Sequence, residues 1–179
     1  MFNKYNLKKG TRIATRSFEA IISTDIMRFM GFDAIYADIT QQSGVMPCCV
    51  KLIDGIALIF RDKGLLMSME LNTEERKAIY CHELGHCFSE NQRGAKSSER
   101  AIEYEVDSDT FAVEKCGISV DALESALKKT YEYNIASIRT RQEKLTKEEV
   151  EKFIDEMTAR KRNVERLRLK IRPKEDMQI

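Results

Sequence analysis

The sequence lacks several features that would point directly to a functional class. It has no tryptophan, only 2 proline and 8 glycine residues among 179, and no apolar run near the roughly 18 residues that a transmembrane helix needs. Neither charge dominates, since 30 Lys and Arg are balanced by 29 Asp and Glu. Composition therefore indicates neither nucleic acid nor an acidic membrane surface as the main partner. The polar first ten residues carry no signal-peptide pattern, so we expect a cytoplasmic protein that does not bind membranes.

The cysteines also argue against two common kinds of site. There are 5 of them and no CxxC pair, which disfavours a zinc ribbon and a thioredoxin-type motif. We expect free thiols in a reducing compartment. Cys81 and Cys87 flank the histidine motif described below, and a regulatory thiolate on a metal is the alternative to ordinary buried thiols.

Turn and periodicity signals predict an α+β fold with a small sheet in the first half of the chain. Apolar residues at helical spacing predict a helix over residues 16–30 that ends at Gly31. Residues 32–39 are predicted as a strand, and Asp54-Gly55 predicts a type I′ hairpin between residues 46–53 and 56–60. We expect a third strand over residues 65–71.

The second half is predicted to be helical. Capping residues, including the capping-box patterns Asn72-x-x-Glu75 and Thr146-x-x-Glu149, mark where helices begin. We predict a domain over residues 1–134 and a charged helical extension over residues 135–179. The predicted helices begin at Asn72 or Thr73, at Ser97 or Ser98, at Ser119 and at Thr146, and Gly117 ends the second of them.

A basic segment near the end of the chain allows two interpretations. Arg160 to Lys174 holds eight basic residues and one acidic residue, Glu165. We expect a solvated helix end, and the alternative is an electrostatic arm for nucleic acid or an acidic partner. The segment has no aromatic residue for base stacking, which weakens the nucleic-acid interpretation.

The pattern that carries chemistry is His82-Glu83-Leu84-Gly85-His86, an HExxH motif on a predicted helix. Residues four apart lie on one helix face, so both imidazoles can bind one ion. Glu83 lies beside them and can reach a water molecule at that ion. These 2 histidines are the only ones in the chain.

A catalytic zinc site needs a third protein ligand, which must then be a carboxylate. Position 92 is glutamine, where the metzincin pattern has histidine. Two Glu-x-x-x-Asp pairs are available, Glu103 with Asp107 and Glu105 with Asp109. The first pair falls on a polar helix face, whereas the second lies in an apolar stripe, where a carboxylate is costly unless it is paired or bound to a metal. We therefore predict Glu105 as the ligand and Asp109 as the partner that orients a ligating histidine.

The alternative for Glu105 and Asp109 is an ordinary ion pair with a basic residue such as Arg93 or Arg100. Such pairing would explain a buried carboxylate without any metal.

The combined pattern, His82-Glu83-x-x-His86, then eighteen residues, then Glu105-x-x-x-Asp109, resembles that of gluzincin zinc metallopeptidases. The stretch from Asp109 to Ala112 is similar to the Asp-x-Phe-Ala ending common in such helices. Residues 17 to 117 most resemble the ImmA/IrrE family, small intracellular metallopeptidase-like proteins of bacteria and mobile elements. The resemblance implies a zincin-like fold and cleavage of a regulatory protein, often a helix-turn-helix repressor.

The expected function is that of a zinc-dependent intracellular endopeptidase. One Zn²⁺ held by His82, His86 and Glu105 would act with Glu83 as general base. With no further histidine, the oxyanion donor must be a tyrosine, an arginine or a backbone N–H group, or be absent, and Tyr131 and Tyr133 are candidates. Residues 56–60 or 65–69 are expected to form the sheet edge that pairs with an extended substrate. The alternative is a catalytically weak zincin-fold module that binds or senses through a protein or nucleic-acid partner.

Overall fold

The structure is a computed structural model that describes residues 7–43, 46–88, 98–140 and 145–171, without the side chains of residues 98–100. Within these ranges a six-stranded sheet is followed by five helices, an α+β arrangement as the sequence predicts. The strands are β1 (Arg12–Ala14), β2 (Phe18–Ile22), β3 (Met27–Phe29), β4 (Phe32–Gln42), β5 (Cys48–Ile53) and β6 (Ile56–Arg61). The helices are α1 (Lys63–Ser68), α2 (Thr73–Phe88), α3 (Ser98–Glu114), α4 (Val120–Thr140) and α5 (Lys147–Ile171).

The sheet has the strand order β1-β2-β4-β6-β5, with β3 paired to the first part of β4. β4 and β6 run parallel, and the other pairs are antiparallel. Two hydrophobic clusters lie on opposite faces of β4 and β6. Ala57 and Ile59 contact the helices on one face, while Leu58 and Phe60 belong to the cluster on the other face. Burial on both faces explains why β6 is apolar at every position except its last.

The predicted hairpin between β5 and β6 is confirmed. Asp54 and Gly55 have φ values of 50° and 80°, the positive values that a type I′ turn requires. The register pairs Ile53 with Ile56 next to the turn. The strand predicted over residues 32–39 is also confirmed, and it continues to Gln42 as β4.

The predicted helix over residues 16–30 is wrong, because this stretch forms β2, β3 and their connections. In β2 the buried residues alternate, with Phe18, Ala20 and Ile22 inside and Glu19 exposed. The stretch therefore follows the two-residue alternation of a strand, although its apolar residues also fit helical spacing. Gly31, which we expected to end a helix, instead lies with φ of 88° in the tight turn from β3 to β4.

The strand expected over residues 65–71 is also wrong, because residues 63–68 form the short helix α1. Asp62 caps this helix, since its Oδ1 accepts a hydrogen bond from the backbone N–H of Leu65 at 2.9 Å. The helix buries Leu66 against the main core cluster. The run of apolar residues is compatible with a strand or a helix, and the cap by Asp62 favours the helix.

The predicted starts of α2, α4 and α5 are confirmed by their caps. Asn72 Oδ1 accepts from the N–H of Glu75 at 2.9 Å, and Glu75 Oε2 accepts from the N–H of Asn72 at 2.7 Å. Ser119 Oγ caps α4. Thr146 and Glu149 form the same reciprocal pair before α5. The polar loop predicted over residues 92–97 lies outside the described residues.

Helix α5 is not the solvated end that we expected, because one of its faces is buried. Arg160, Asn163, Val164 and Leu167 lie at helical spacing and are each less than a tenth exposed, and the last two belong to the main core cluster. The boundary predicted after residue 134 falls inside α4, which continues to Thr140. Residues 172–174 of the basic segment lie outside the described residues. Of the helices described, none is both long and apolar enough to cross a bilayer.

Candidate metal centre

Helix α2 presents two different faces to its surroundings. Helical phase predicts that Tyr80, Cys81, Leu84, Cys87 and Phe88 pack on the core. The first three are buried in the main core cluster and Cys87 is half-buried against it, but Phe88, at the end of the helix, is 46% exposed. His82 and His86 lie on the side that faces α3 and line a cavity. The motif is therefore held by a helix whose orientation the core fixes.

Gly85 allows α2 and α3 to approach closely beside the motif. A Cβ atom at this position would lie 2.8 Å from the backbone Cα of Ser108 on α3. This is shorter than real Cβ contacts, so a larger residue would push the two helices apart. The glycine thus brings the carboxylates of α3 within reach of the histidines of α2.

Three side chains converge on one point. The Nε2 atoms of His82 and His86 are 3.1 Å apart, Glu105 Oε2 is 3.1 Å from His82 Nε2, and Glu105 Oε1 is 3.5 Å from His86 Nε2. Ligand atoms about 2.1 Å from a tetrahedral zinc ion are separated by about 3.4 Å. Each imidazole nitrogen thus lies at about this distance from the other nitrogen and from one oxygen of Glu105, and the group of His82, His86 and Glu105 can hold a metal ion.

Two neighbouring residues on α3 fix the rings of the two histidines. His82 Nδ1 donates to Asp109 Oδ1 at 2.8 Å, as predicted for Asp109. Ser108 Oγ and His86 Nδ1 are hydrogen bonded at 2.8 Å. Because each Nδ1 is engaged, each Nε2 is left facing the point where the ligand atoms converge.

The basic partner of the two carboxylates is Arg160 from α5, which the sequence analysis assigned to a solvated segment. Its Nε and Nη2 donate to both oxygens of Asp109 at 2.8 and 2.7 Å, and its Nη1 donates to Glu105 Oε2 at 2.9 Å. Arg93 and the side chain of Arg100, the partners considered from the sequence, lie outside the described part of the chain. An ion pair and a ligand-like arrangement therefore coexist at Glu105.

The electrostatic environment gives the two histidines different pKa values. Burial and the charge of Arg160 favour the neutral ring of His82, but its hydrogen bonds to Asp109 and Glu105 outweigh them and raise its pKa to about 9. Burial and the charge on His82 lower the pKa of His86 to about 4. Burial opposes ionisation of Glu105, yet contact with His82 and Arg160 keeps its pKa below the usual value. At neutral pH and without a metal, the pair of rings carries one positive charge.

Glu83 lies beside the convergent atoms and is not one of them. It lines the same cavity as the two histidines, a space of about 340 Å³ between α2, α4 and α5. Burial, and after it the neighbouring charge of Glu105, raises the pKa of the Glu83 carboxyl above its usual value. A carboxylate with a raised pKa is a better proton acceptor, as a general base requires.

The two tyrosines named from the sequence are in different places. Tyr131 lines the cavity, and its hydroxyl donates to Glu156 Oε1 at 3.3 Å. Tyr133 is half-buried against the main core cluster and does not line the cavity. Of the two, only Tyr131 is close enough to act on a molecule bound in the cavity.

The cysteines are free thiols, as predicted. Cys81 is buried in the core. Cys87 is half-buried, and its thiol donates to the backbone carbonyl of Val50 in β5 at 3.3 Å. The group of ligand atoms found in the described ranges contains no cysteine, which speaks against a regulatory thiolate on the metal.

Sequence reasoning missed Ser108 and Arg160. Ser108 follows Glu105 by three residues and is fully buried, which places it on the same face of α3. For Arg160 the available signal was the helical spacing of Arg160, Val164 and Leu167 within a charged run. An arginine in line with two aliphatic residues indicates a buried face that carries a charge.

Comparison of the chain with protein-family models, with curated proteins and with solved structures found no match.

Proposed function

We propose that the protein is a zinc-dependent endopeptidase with a zincin-like fold, built on His82, His86 and Glu105 as zinc ligands. The observation that carries this proposal is the convergence of two imidazole nitrogens and a carboxylate at 3.1 to 3.5 Å, with a second carboxylate beside them in a cavity. Two imidazoles and one carboxylate from three side chains are a typical set for catalytic zinc, which keeps one position open.

The residues of the site then have distinct roles. Zinc bound there would lower the pKa of a water molecule and polarise a peptide carbonyl. Glu83 would accept a proton from the attacking water and pass it to the leaving amine. Asp109 and Ser108 form hydrogen bonds with the Nδ1 atoms of His82 and His86, so that each ring would present its Nε2 to the metal. Tyr131 is the side chain we assign to the carbonyl oxygen as it gains charge, which requires its hydroxyl to exchange its hydrogen bond to Glu156 for one to the substrate.

The strand that would bind an extended substrate differs from the one expected. Residues 56–60 lie in β6, which is enclosed between β4 and β5, and residues 65–69 fall in and just after α1. β5 ends the strand order, and Pro47, just before it, lines the cavity at the histidines. We therefore assign substrate pairing to β5. The proposed substrate is a regulatory protein of the repressor type, in line with the resemblance to the ImmA/IrrE family.

A catalytically weak binding or sensing module is the second candidate. The observation in its favour is that all three guanidinium nitrogens of Arg160 donate to protein carboxylates, so that Tyr131 remains as the candidate oxyanion donor. A site of this kind would bind zinc and turn over slowly.

The deciding experiment compares wild-type protein with Glu83→Gln in two measurements. Zinc affinity is measured by competition with a chromophoric chelator, and cleavage is measured by mass spectrometry on a peptide library that presents varied residue pairs. We expect Glu83→Gln to bind zinc like the wild type and to lose about 10²- to 10⁴-fold of its cleavage rate, because it cannot accept the proton. Glu103→Gln, on the polar face of α3, is the matched control.

The outcomes separate the candidates. Zinc binding without cleavage by the wild type would favour the binding module. Equal cleavage by the wild type and Glu83→Gln would show that Glu83 is not the general base. A wild-type protein that binds no zinc would overturn both candidates.

A further inference from the structure

Arg160 connects the C-terminal helix to the metal ligands. Its guanidinium donates through Nε and Nη2 to both oxygens of Asp109 and through Nη1 to Glu105 Oε2. Such planar, multidentate contact fixes the direction of a carboxylate as well as its charge. One side chain from α5 thus touches both the ligand on α3 and the carboxylate that orients His82.

The packing of α5 holds this guanidinium in place. Arg160 is 7% exposed, and Val164 and Leu167 on the same face are each 1% exposed. The amide of Asn163 donates to the backbone carbonyl of Val106 on α3 at 3.1 Å. The position of the guanidinium is therefore set by the interface between two helices and not by a flexible surface side chain.

The two oxygens of Glu105 differ in their contact with Arg160. Oε2 accepts from Arg160 at 2.9 Å and also lies 3.1 Å from His82 Nε2, while Oε1 lies 3.5 Å from His86 Nε2. A carboxylate with both oxygens available can chelate a metal through both, whereas one that is committed to arginine at one oxygen binds through the other.

We propose that Arg160 is a positioning residue of the metal centre, which keeps Glu105 a one-oxygen ligand and presses Asp109 against His82. This inference rests on the proposed metal site and extends it, because it makes α5 part of the centre. If Glu105 binds the metal through one oxygen and not two, one more coordination position of the metal stays open.

The sign of the effect distinguishes positioning from simple electrostatics. A cation beside a divalent ion repels it, so removing the charge of Arg160 alone would tighten zinc binding. Loss of a residue that orients ligands weakens metal binding, typically about 10- to 100-fold. The proposal predicts the second direction.

The test uses the full chain with Arg160→Met, Arg160→Lys and the control Arg168→Met. Arg168 is on the same helix and pairs with Asp121 and Glu124 at the surface, away from the cavity. Zinc affinity is measured by chelator competition, and the visible absorption of the protein loaded with Co²⁺ reports the coordination number of the metal.

We expect Arg160→Met to bind zinc about 10- to 100-fold more weakly than the wild type and its cobalt absorption to change towards higher coordination. Arg168→Met should match the wild type in both. If Arg160→Met fails to fold, Arg160→Lys decides, because it keeps a charge but cannot span two carboxylates. We expect about tenfold weaker binding and an altered cobalt spectrum for that variant.

The proposal is overturned if the folded Arg160 variant binds zinc as tightly as the wild type, or more tightly, with an unchanged cobalt spectrum. Failure of the underlying metal site is a different result, since the wild type itself would then bind neither zinc nor cobalt.

Discussion

Replacing Gly85 with alanine tests whether the close approach of α2 and α3 builds the metal centre. Two effects of opposite sign compete. Alanine is favoured over glycine in a helix by about 1 kcal/mol. Against this, the added Cβ would lie 2.8 Å from Ser108 Cα and 3.1 Å from the Cβ and backbone oxygen of the same residue.

The clash is the larger effect, because its partner is backbone. To reach an ordinary contact of 3.4 Å from 2.8 Å, Ser108 must move by 3.4 − 2.8 = 0.6 Å, and helix α3 must move with it. Overpacking of this kind costs about 1 to 3 kcal/mol. We expect Gly85→Ala to lower the free energy of unfolding by about 1 kcal/mol after the gain in helix propensity.

The same displacement reaches the candidate metal centre. Ser108 Oγ is hydrogen bonded to His86 Nδ1 at 2.8 Å, so moving Ser108 turns or releases the imidazole. We expect zinc affinity to fall about tenfold, at the lower end of the effect of residues that orient ligands.

The assay is urea unfolding of the metal-free protein together with chelator competition for zinc. Gly64→Ala is the matched control, because Gly64 is also helical and its Cβ would meet only the side-chain Oδ1 of Asp62, at 3.3 Å. Because alanine is favoured over glycine in a helix, this control should be more stable than the wild type by up to about 1 kcal/mol. A Gly85→Ala protein that is more stable than the wild type and binds zinc equally well would refute the role assigned to this contact.

The remaining predictions concern protons and one buried carboxylate. Since the pKa of His82 without metal is about 9, zinc binding at pH 7 should release about one proton, and affinity should rise about tenfold per pH unit between about pH 6 and 8. Calorimetry in buffers of different ionisation enthalpy checks this, and a pH-independent affinity would contradict it. Because this folded-state pKa lies above the unfolded value, the metal-free protein should lose stability as pH rises from about 6.5 towards 9, which urea midpoints with chelator present would reveal. Glu75→Ala should cost about 2 kcal/mol in urea unfolding, because buried Glu75 accepts from Ser125 Oγ at 2.6 Å and Lys129 Nζ at 2.8 Å. Glu74→Ala, at the exposed neighbour, should change stability by less than about 0.5 kcal/mol, and equal effects would contradict the prediction.

Local sequence signals predicted those parts of the fold whose interactions lie within a few residues. The hairpin follows from Asp54-Gly55, and the start of α2 follows from Asn72 and Glu75, because a turn or cap is complete within four residues. The prediction for residues 16–30 was wrong because their apolar residues fit both a helical period and a strand period. Pairing with β4 decides the structure of β2 and β3.

The sequence by itself determined which residues can bind a metal. The four-residue spacing places His82 and His86 on one face of α2, and helical phase selects Glu105 and Asp109 from the carboxylates of α3. Each of these inferences concerns one helix and needs no knowledge of its neighbours.

Only the tertiary structure decided how the site is completed. Arg160 is 51 residues from Asp109, and no local pattern specifies a contact at that separation. The contact depends on the packing of α5 against α3, just as the hydrogen bond between Ser108 and His86 depends on the close approach at Gly85. Spacing within single helices thus identifies the candidate ligands. Packing of the helices against one another places Ser108 and Arg160 where they orient those ligands.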